Sequence, residues 1–353
     1  MHIQQSILQK ELSNIPTQTS FLGIINLRGS HLFEKEKALH KSLTAGDEGQ
    51  KKVVRYLETY GRPHWTVLQN VWLDDFGTFE NDLILLTHHA VYVFEIKNYT
   101  GTFTYDEGKC YYNQFESSVN PIEQVRMCKV NLQNILNKVN RNIPVKSAVI
   151  FTGDDNDVII HSNVGEIEVV RRTQILKFIR QIVDEEKSSR SKKVDVEQII
   201  QAFAPYEIPN PYTPPPLTVK EMQEMKSGIY CVNCLNFDVK LARIWVSCSC
   251  GFKEPREESA IRTICEYGVL TYGKNMTQKG LLQFLGPNNS KSLLQRILHT
   301  HFEVNRNGRH TTYKNENRVY QEISEQFHIP QKQVYNPNPT QVTYLWNNKI
   351  AHL

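Results

Sequence analysis

No apolar run in the 353-residue chain approaches the roughly 18 residues of a membrane span, and the first thirty residues lack the basic start and continuous apolar core of a signal peptide. Both absences point to a cytoplasmic protein with no membrane partner. Cysteine is scarce, seven in all, with four crowded between Cys231 and Cys250; that argues against a secreted disulfide framework and for a bound metal. No strong charge of one sign is present, since the formal net charge is only +4, and neither internal repeats nor low-complexity tracts occur. The charge is unevenly spread, however. Residues 227–318 hold thirteen Lys and Arg against seven Asp and Glu, a balance of +6 that leaves about −2 for the rest. At 40% apolar and 22% charged residues, the composition is that of a globular chain with room for two or three domains.

APYEIPNPYTPPPLT, Ala204 to Thr218, carries six prolines and reads as an extended spacer. Before it, EKEKALHKSLTA and EGQKKVVRYLETYG have apolar residues at helical spacing, followed by short strand-like runs from TVLQNVWL to KCYYNQF. PIEQVRMCKVNLQNILNKVN predicts a helix, VKSAVIFTG and IEVVR strands, and TQILKFIRQIVDEE and VDVEQIIQAF helices. This order predicts an α/β sandwich around a mixed sheet. Beyond the spacer come a cysteine-rich segment joined by the strand-like KLARIWVS, three short helical patterns and a hairpin, FEVNRNGRHTTYK, the outline of a winged helix-turn-helix. The expected divisions are an N-terminal extension (1–30), an α/β domain (31–204), a linker (205–226), a zinc knuckle or ribbon (227–255), a winged-helix-like module (256–318) and a tail (319–353).

FENDLILLTHHAVYVFEIKNY, Phe79 to Tyr99, reads as a buried hairpin, yet it contains Asp82, Glu95 and Lys97. Each buried charge costs on the order of several kcal/mol unless it is neutralised. Strand alternation puts Glu95 and Lys97 on one face. If His88 and His89 form a two-residue turn, facing positions sum to 177 and Asp82 meets Glu95. A three-residue loop would instead turn Asp82 to the other face. Two facing carboxylates repel unless a divalent cation lies between them; Mg2+, or Mn2+, suits such a site, with water and a substrate phosphate completing its shell. Lys97 would then stand beside the phosphate. The plainer alternative is an ion-paired cluster on a solvated sheet face.

An acid, a gap and E-x-K on a hairpin resemble the active-site signature of the PD-(D/E)XK nucleases. Four elements in order sharpen the resemblance to the nuclease-related domain family, NERD: Gly46 and Gly49 in AGDEGQ, FENDL from Phe79 to Leu83, FEIKNYTG from Phe94 to Gly101, and PIEQ from Pro121 to Gln124. The resemblance covers roughly residues 30–150. It implies a restriction-endonuclease-like mixed sheet flanked by helices, with Asp82 and Glu95 as catalytic-metal ligands, Lys97 as the catalytic lysine and Gln124 as a supporting residue. Where the family carries Glu after its second glycine, this chain has Gln50. That departure bears on catalysis rather than on fold.

Cys231-x-x-Cys234, thirteen residues and Cys248-x-Cys250 have the spacing of a four-cysteine structural zinc site, although the second pair has one spacer residue instead of two. Cys110, Cys128 and Cys265 lack ligand spacing and read as buried or free thiols. TGDDNDV lacks the pattern of a calcium loop and reads as a solvated turn. In the winged-helix-like module Lys291, Gln295, Arg296, Arg306 and Arg309 are candidate DNA contacts, with a solvated charged face as the alternative. The expectation is a metal-dependent DNA nuclease with a zinc-stabilised DNA-binding region. RNA is a further possible substrate, and the rival is a DNA-binding or regulatory protein that keeps the nuclease fold without turnover.

Overall fold

The alternating apolar runs build a mixed sheet, seen here in a computed structural model that describes residues 1–3, 17–75, 77–138, 143–190, 193–307 and 310–315. The chain divides into two units, Met1–Leu12 with Lys41–Pro211 and Ser13–His40 with Tyr212–Leu353, so one boundary falls inside the proline-rich stretch. In chain order come β1 (His2–Ile3), α1 (Gln18–Arg28), α2 (Glu34–Tyr60), β2 (Thr66–Asp74), β3 (Thr78–Leu86), β4 (Val91–Lys97), β5 (Gly101–Asp106), β6 (Lys109–Tyr112), β7 (Phe115–Glu116), α3 (Pro121–Lys138), β8 (Val145–Phe151), β9 (Asn156–Ile160), β10 (Ile167–Val170), α4 (Ile175–Ser188) and α5 (Val196–Phe203).

The main sheet of the first unit has the order β1-β2-β3-β4-β8-β10. β2, β3 and β4 form an antiparallel meander, while β8 runs parallel to both β4 and β10. Alternation divides its side chains between two cores. Ile84, Leu86, Val91 and Val93 pack with Ile122, Val125 and Leu132 of α3, whereas Leu83, Leu85, Phe94 and Ile96 pack with Val53 and Leu57 of α2 and Phe178 and Ile182 of α4. A second sheet, ordered β7-β6-β5-β9, adds Phe103, Tyr105 and Val158 to the α3 side.

Before residue 204, three features differ from the sequence reading. The two helical patterns before residue 61 form the single helix α2, which runs through Gly46 and Gly49. The glycines do not break it because its buried residues, Val53, Val54 and Leu57, hold it on the sheet. Of the aspartate-rich segment read as a solvated turn, Asp154 and Asp155 do form an exposed bend, but from Asn156 it belongs to β9, which pairs in parallel with β5, and Asp154 ion-pairs with Lys52 and Arg172. Residues 17–40, expected to lie in the N-terminal extension and the α/β domain, group with the second unit.

Arg28 supplies the reason for that last difference. Fully buried in the second unit, its Nε donates to Glu266 Oε2 at 2.6 Å and its Nη1 to the carbonyls of Lys226 and Gly228 at 2.8 and 3.0 Å. Its guanidinium lies over the rings of Tyr230, Phe237 and Phe284. The rest of this unit comprises α6 (Val219–Glu224), β11 (Val239–Leu241), β12 (Trp245–Cys248), β13 (Lys253–Pro255), α7 (Arg256–Leu270), β14 (Met276–Thr277), α8 (Gln278–Leu285), α9 (Lys291–His301), β15 (Val304–Asn307) and β16 (His310–Tyr313). KLARIWVS is a hairpin instead of one strand: the Ala242 N–H donates to the Trp245 carbonyl, and β12 continues antiparallel to β11 and then to β13. Past α7, the helices α8 and α9 are followed by β15 and β16 in a sheet ordered β14-β16-β15. Residues 319–353 and Arg309 lie outside the described residues.

Candidate active site

His88 and His89 form the two-residue turn between β3 and β4, closed by the Thr87 N–H donating to the Ala90 carbonyl and by the Thr87 hydroxyl donating to the same oxygen at 2.8 Å. Pairing therefore runs from Leu86↔Val91 to Leu83↔Phe94 in the register that sums to 177. The ladder stops one step short of Asp82 and Glu95. On the other side, β2 pairs with β3 around Asp82 but not at it, because Asn70, the residue that would face Asp82, adopts φ 52 in the left-handed region. Asp82 is thus released from both ladders. Its Oδ2 accepts the Ile96 N–H at 2.7 Å.

Lys97, two residues beyond Glu95 on the same face, puts Nζ 2.6 Å from Glu95 Oε1. Glu95 is only 6% exposed. Burial and the neighbouring Asp82 push its carboxyl up to about 7, against the pull of Lys97. Asp82 is also raised, chiefly by burial, with the Ile96 N–H, Lys97 and a hydrogen bond from the Gln50 side chain working the other way. Burial penalises the charge on Lys97, but Glu95, Tyr99 and Asp82 outweigh it and hold the ammonium above its ordinary range.

Gln50 reaches Asp82 because α2 lies unusually close to the strand ends. A Cβ added to Gly49 would stand 2.8 Å from Thr152 Oγ1 and 2.9 Å from Asn98 Cβ. Asn98 Nδ2 also donates to the Ala45 carbonyl at 2.8 Å, tying the same helix to the end of β4. Gly46 faces open space, so only the second glycine of the pair is sterically required.

Two participants escaped the sequence reading. Glu80 shares its strand face with Asp82; the residue as a whole is exposed, but local burial of its carboxyl, then Asp82 and Asp47, push it up, while Lys97 pulls it down. The signal was the strand parity of residues 80 and 82. Cys128 of α3, read only as a thiol without ligand spacing, donates to the Glu80 carbonyl at 3.3 Å; burial and then Glu95, Asp82 and Glu80 push it up to about 12. Gln124 lies one turn earlier on α3, exposed, with no hydrogen bond from its side chain to the acids or to Lys97 among the described residues.

Three carboxyls held above their ordinary values beside a single ammonium form a site short of positive charge, the deficit that a divalent cation makes good. Their oxygens do not converge into a three-acid cluster within 4.8 Å, since Glu95 is turned to Lys97 and Asp82 to the backbone. Two carboxylates plus water and substrate phosphate is a donor set that Mg2+ accepts, so the residues fit that ion.

In the second unit the Sγ atoms of Cys231, Cys234, Cys248 and Cys250 all lie within 4.8 Å of one another, with Cys231–Cys250 at 3.6 Å and Cys234–Cys248 at 3.5 Å. A tetrahedron with Zn–S bonds of about 2.3 Å has edges of about 3.8 Å, so the thiols fit zinc. Backbone N–H groups of Asn233 and Cys234 point at Cys231, that of Asn236 at Cys234 and that of Phe252 at Cys250, as thiolate ligands require. Of the candidate nucleic-acid contacts, Lys291, Gln295 and Arg306 are exposed. Arg296 is exposed too but ion-pairs with Glu257 at 2.9 Å.

Among the described residues no helix is long and apolar enough to cross a membrane. No curated protein and no solved structure matches the chain. Residues 45–152, which carry Gln50, Glu80, Asp82, Glu95, Lys97 and Gln124, match the family profile of the nuclease-related domain, NERD.

Proposed function

We propose that the chain is a divalent-metal-dependent phosphodiesterase that cleaves DNA. The observation that carries this reading is the set of Asp82, Glu95 and Lys97 at one end of the β3–β4 hairpin, charged groups that the surrounding apolar sheet does not neutralise. Asp82 and Glu95 would hold Mg2+ or Mn2+, with Glu80 adding negative charge beside them. When bound, the cation supplies Lewis acidity toward the phosphate and lowers the pKa of a water nucleophile. Lys97, kept protonated by its acidic neighbours, faces the developing charge on the phosphoryl oxygens. Gln50 fixes the orientation of Asp82 by donating to it.

In the second unit Cys231, Cys234, Cys248 and Cys250 would hold a structural zinc, four thiolates leaving no position open for chemistry. The helices α7 to α9 with the sheet β14-β16-β15 have the element order of a winged helix-turn-helix, in which Lys291 and Gln295 of α9 and Arg306 of the wing would contact DNA. Arg296 would first have to leave Glu257. Gln50 favours a second reading, a DNA-binding protein without turnover, because an amide that donates to Asp82 cannot also serve as an anionic ligand.

Incubation of the purified chain with supercoiled, linear and single-stranded DNA, and with RNA, in Mg2+, Mn2+ or EDTA tests the proposal. Cleavage that needs the divalent ion and disappears in Asp82→Ala supports it. DNA binding without cleavage supports the second reading, and cleavage of RNA alone refutes DNA as the substrate.

A further inference from the structure

Two segments distant in sequence meet a third at the turn end of the main sheet. His64, in the connection from α2 to β2, stacks on His88 of the β3–β4 turn with ring centroids 4.0 Å apart and planes 13° from parallel. His64 Nε2 lies 3.1 Å from Oε2 of Glu186, near the C-terminal end of α4. One ligand atom from each of His64, His88 and Glu186 falls within a 4.8 Å cluster.

The carboxylate is oriented from behind. Trp65 Nε1 donates to Glu186 Oε2 at 3.0 Å, and the His88 N–H donates to Oε1 at 2.7 Å. Such outer hydrogen bonds aim a ligating carboxylate. The Nε2–Oε2 distance of 3.1 Å approaches the edge of about 3.3 Å expected between nitrogen and oxygen ligands on a tetrahedral ion with bonds of about 2.0–2.1 Å. His64 is 38% exposed at its side chain, so an ion can enter from solvent. From Asp82 to His88 is six residues of strand and turn, on the order of 20 Å, which separates this cluster from the acids at the other end of the hairpin.

We propose that His64, His88 and Glu186 bind a divalent transition-metal ion of the zinc class. Two imidazoles and a carboxylate suit Zn2+, Co2+ or Ni2+ far better than Mg2+. The ion replaces the His64–Glu186 hydrogen bond and turns one imidazole out of the stack, because each ring's lone pair lies in its own plane and near-parallel planes do not meet at one ion; it then clips the α2–β2 connection, the β3–β4 turn and the end of α4 together, with its fourth position open to water. The inference is independent of the nuclease reading and of the cysteine site.

Elemental analysis of the full chain after equilibration with micromolar Zn2+ and removal of free metal, beside His64→Ala, His64→Gln and His88→Ala, tests it. Wild type is expected to retain one ion per chain more than each variant, with affinity at the histidine site falling at least tenfold in the variants. Co2+ gives a separate readout. Its histidine-site component should show weak visible bands without thiolate-to-cobalt charge transfer, and should vanish in the variants while the cysteine-site bands persist. Because His64 sits on an exposed connection, unchanged far-UV circular dichroism in its two variants separates loss of a ligand from loss of fold. Equal stoichiometry and affinity in wild type and correctly folded variants, or binding only at millimolar metal, would overturn the proposal.

Discussion

At the scale of single residues, Asp82, Glu95 and Lys97 were legible because strand parity and a two-residue turn fix who faces whom. What parity could not supply was the third dimension. Gln50 lies more than thirty positions before Asp82, and its hydrogen bond to that carboxylate follows from helix-on-sheet packing that no local pattern encodes. Glu80 was visible in principle but holds an unspecified position of the FENDL element. The burial of Glu95 has a consequence for stability. Glu95 keeps its proton to about pH 7 in the folded chain, whereas the carboxyl of an unfolded Glu ionises near 4.5. The folded state therefore binds more protons between those values, and metal-free stability should fall as pH rises through that window. Glu95 alone accounts for on the order of 3 kcal/mol. Urea unfolding in EDTA from pH 5 to 8 should show the decline, and Glu95→Gln should flatten it. A stability that rises over the same range would contradict the assigned burial.

At the scale of elements, the main strands along the chain and most helices followed from periodicity, whereas the strand order in the sheet did not. α2 did not either, because two helical patterns separated at Gly46 and Asp47 are joined by packing into one helix. Its two glycines make opposite predictions. Gly46→Ala, with nothing within 4 Å of the added Cβ, should stabilise the chain by about 0.5–1 kcal/mol through helix propensity. Gly49→Ala, meeting Thr152 and Asn98 at under 3 Å, should cost roughly 1–3 kcal/mol and shift Gln50 from Asp82. Thermal unfolding of the two variants checks the sign of each. In the second unit the cysteine spacing was legible but its framework was not, since the β11–β12 turn at Ala242 carries no glycine or proline signal. If zinc organises that ribbon, removing it with a strong chelator should open residues 231–255 to limited proteolysis, and added Zn2+ should restore protection. Protection that is indifferent to chelation would separate the ribbon from the metal.

At the scale of the whole molecule, the proline-rich stretch announced a division, but nothing near Arg28 in the sequence announces its partner Glu266, which lies 238 positions later. The buried Arg28–Glu266 pair with its aromatic shell, together with the packing of α1 against α7, ties residues 17–40 to the second unit. The positive balance of residues 227–318 makes a prediction about the full chain. DNA binding of the zinc-loaded chain without added Mg2+ or chelator should weaken steeply with salt, and Lys291→Ala should lower the slope of log affinity against log salt by about 1 while weakening all sequences alike. A slope near zero would remove nucleic acid as the partner of this region.

The account rests on the charged end of the β3–β4 hairpin, and single-turnover cleavage of DNA by wild type and Lys97→Ala, followed across a Mg2+ titration, tests it most directly. Wild type should cut with a rate that rises with Mg2+ and is abolished by EDTA. Lys97→Ala should bind the same DNA with unchanged affinity yet cut about 100-fold to 1,000-fold more slowly, the loss expected when a positioned charge is removed from a phosphoryl-transfer site. Equal rates in the two proteins, or no Mg2+-dependent cleavage by wild type, would contradict the central claim.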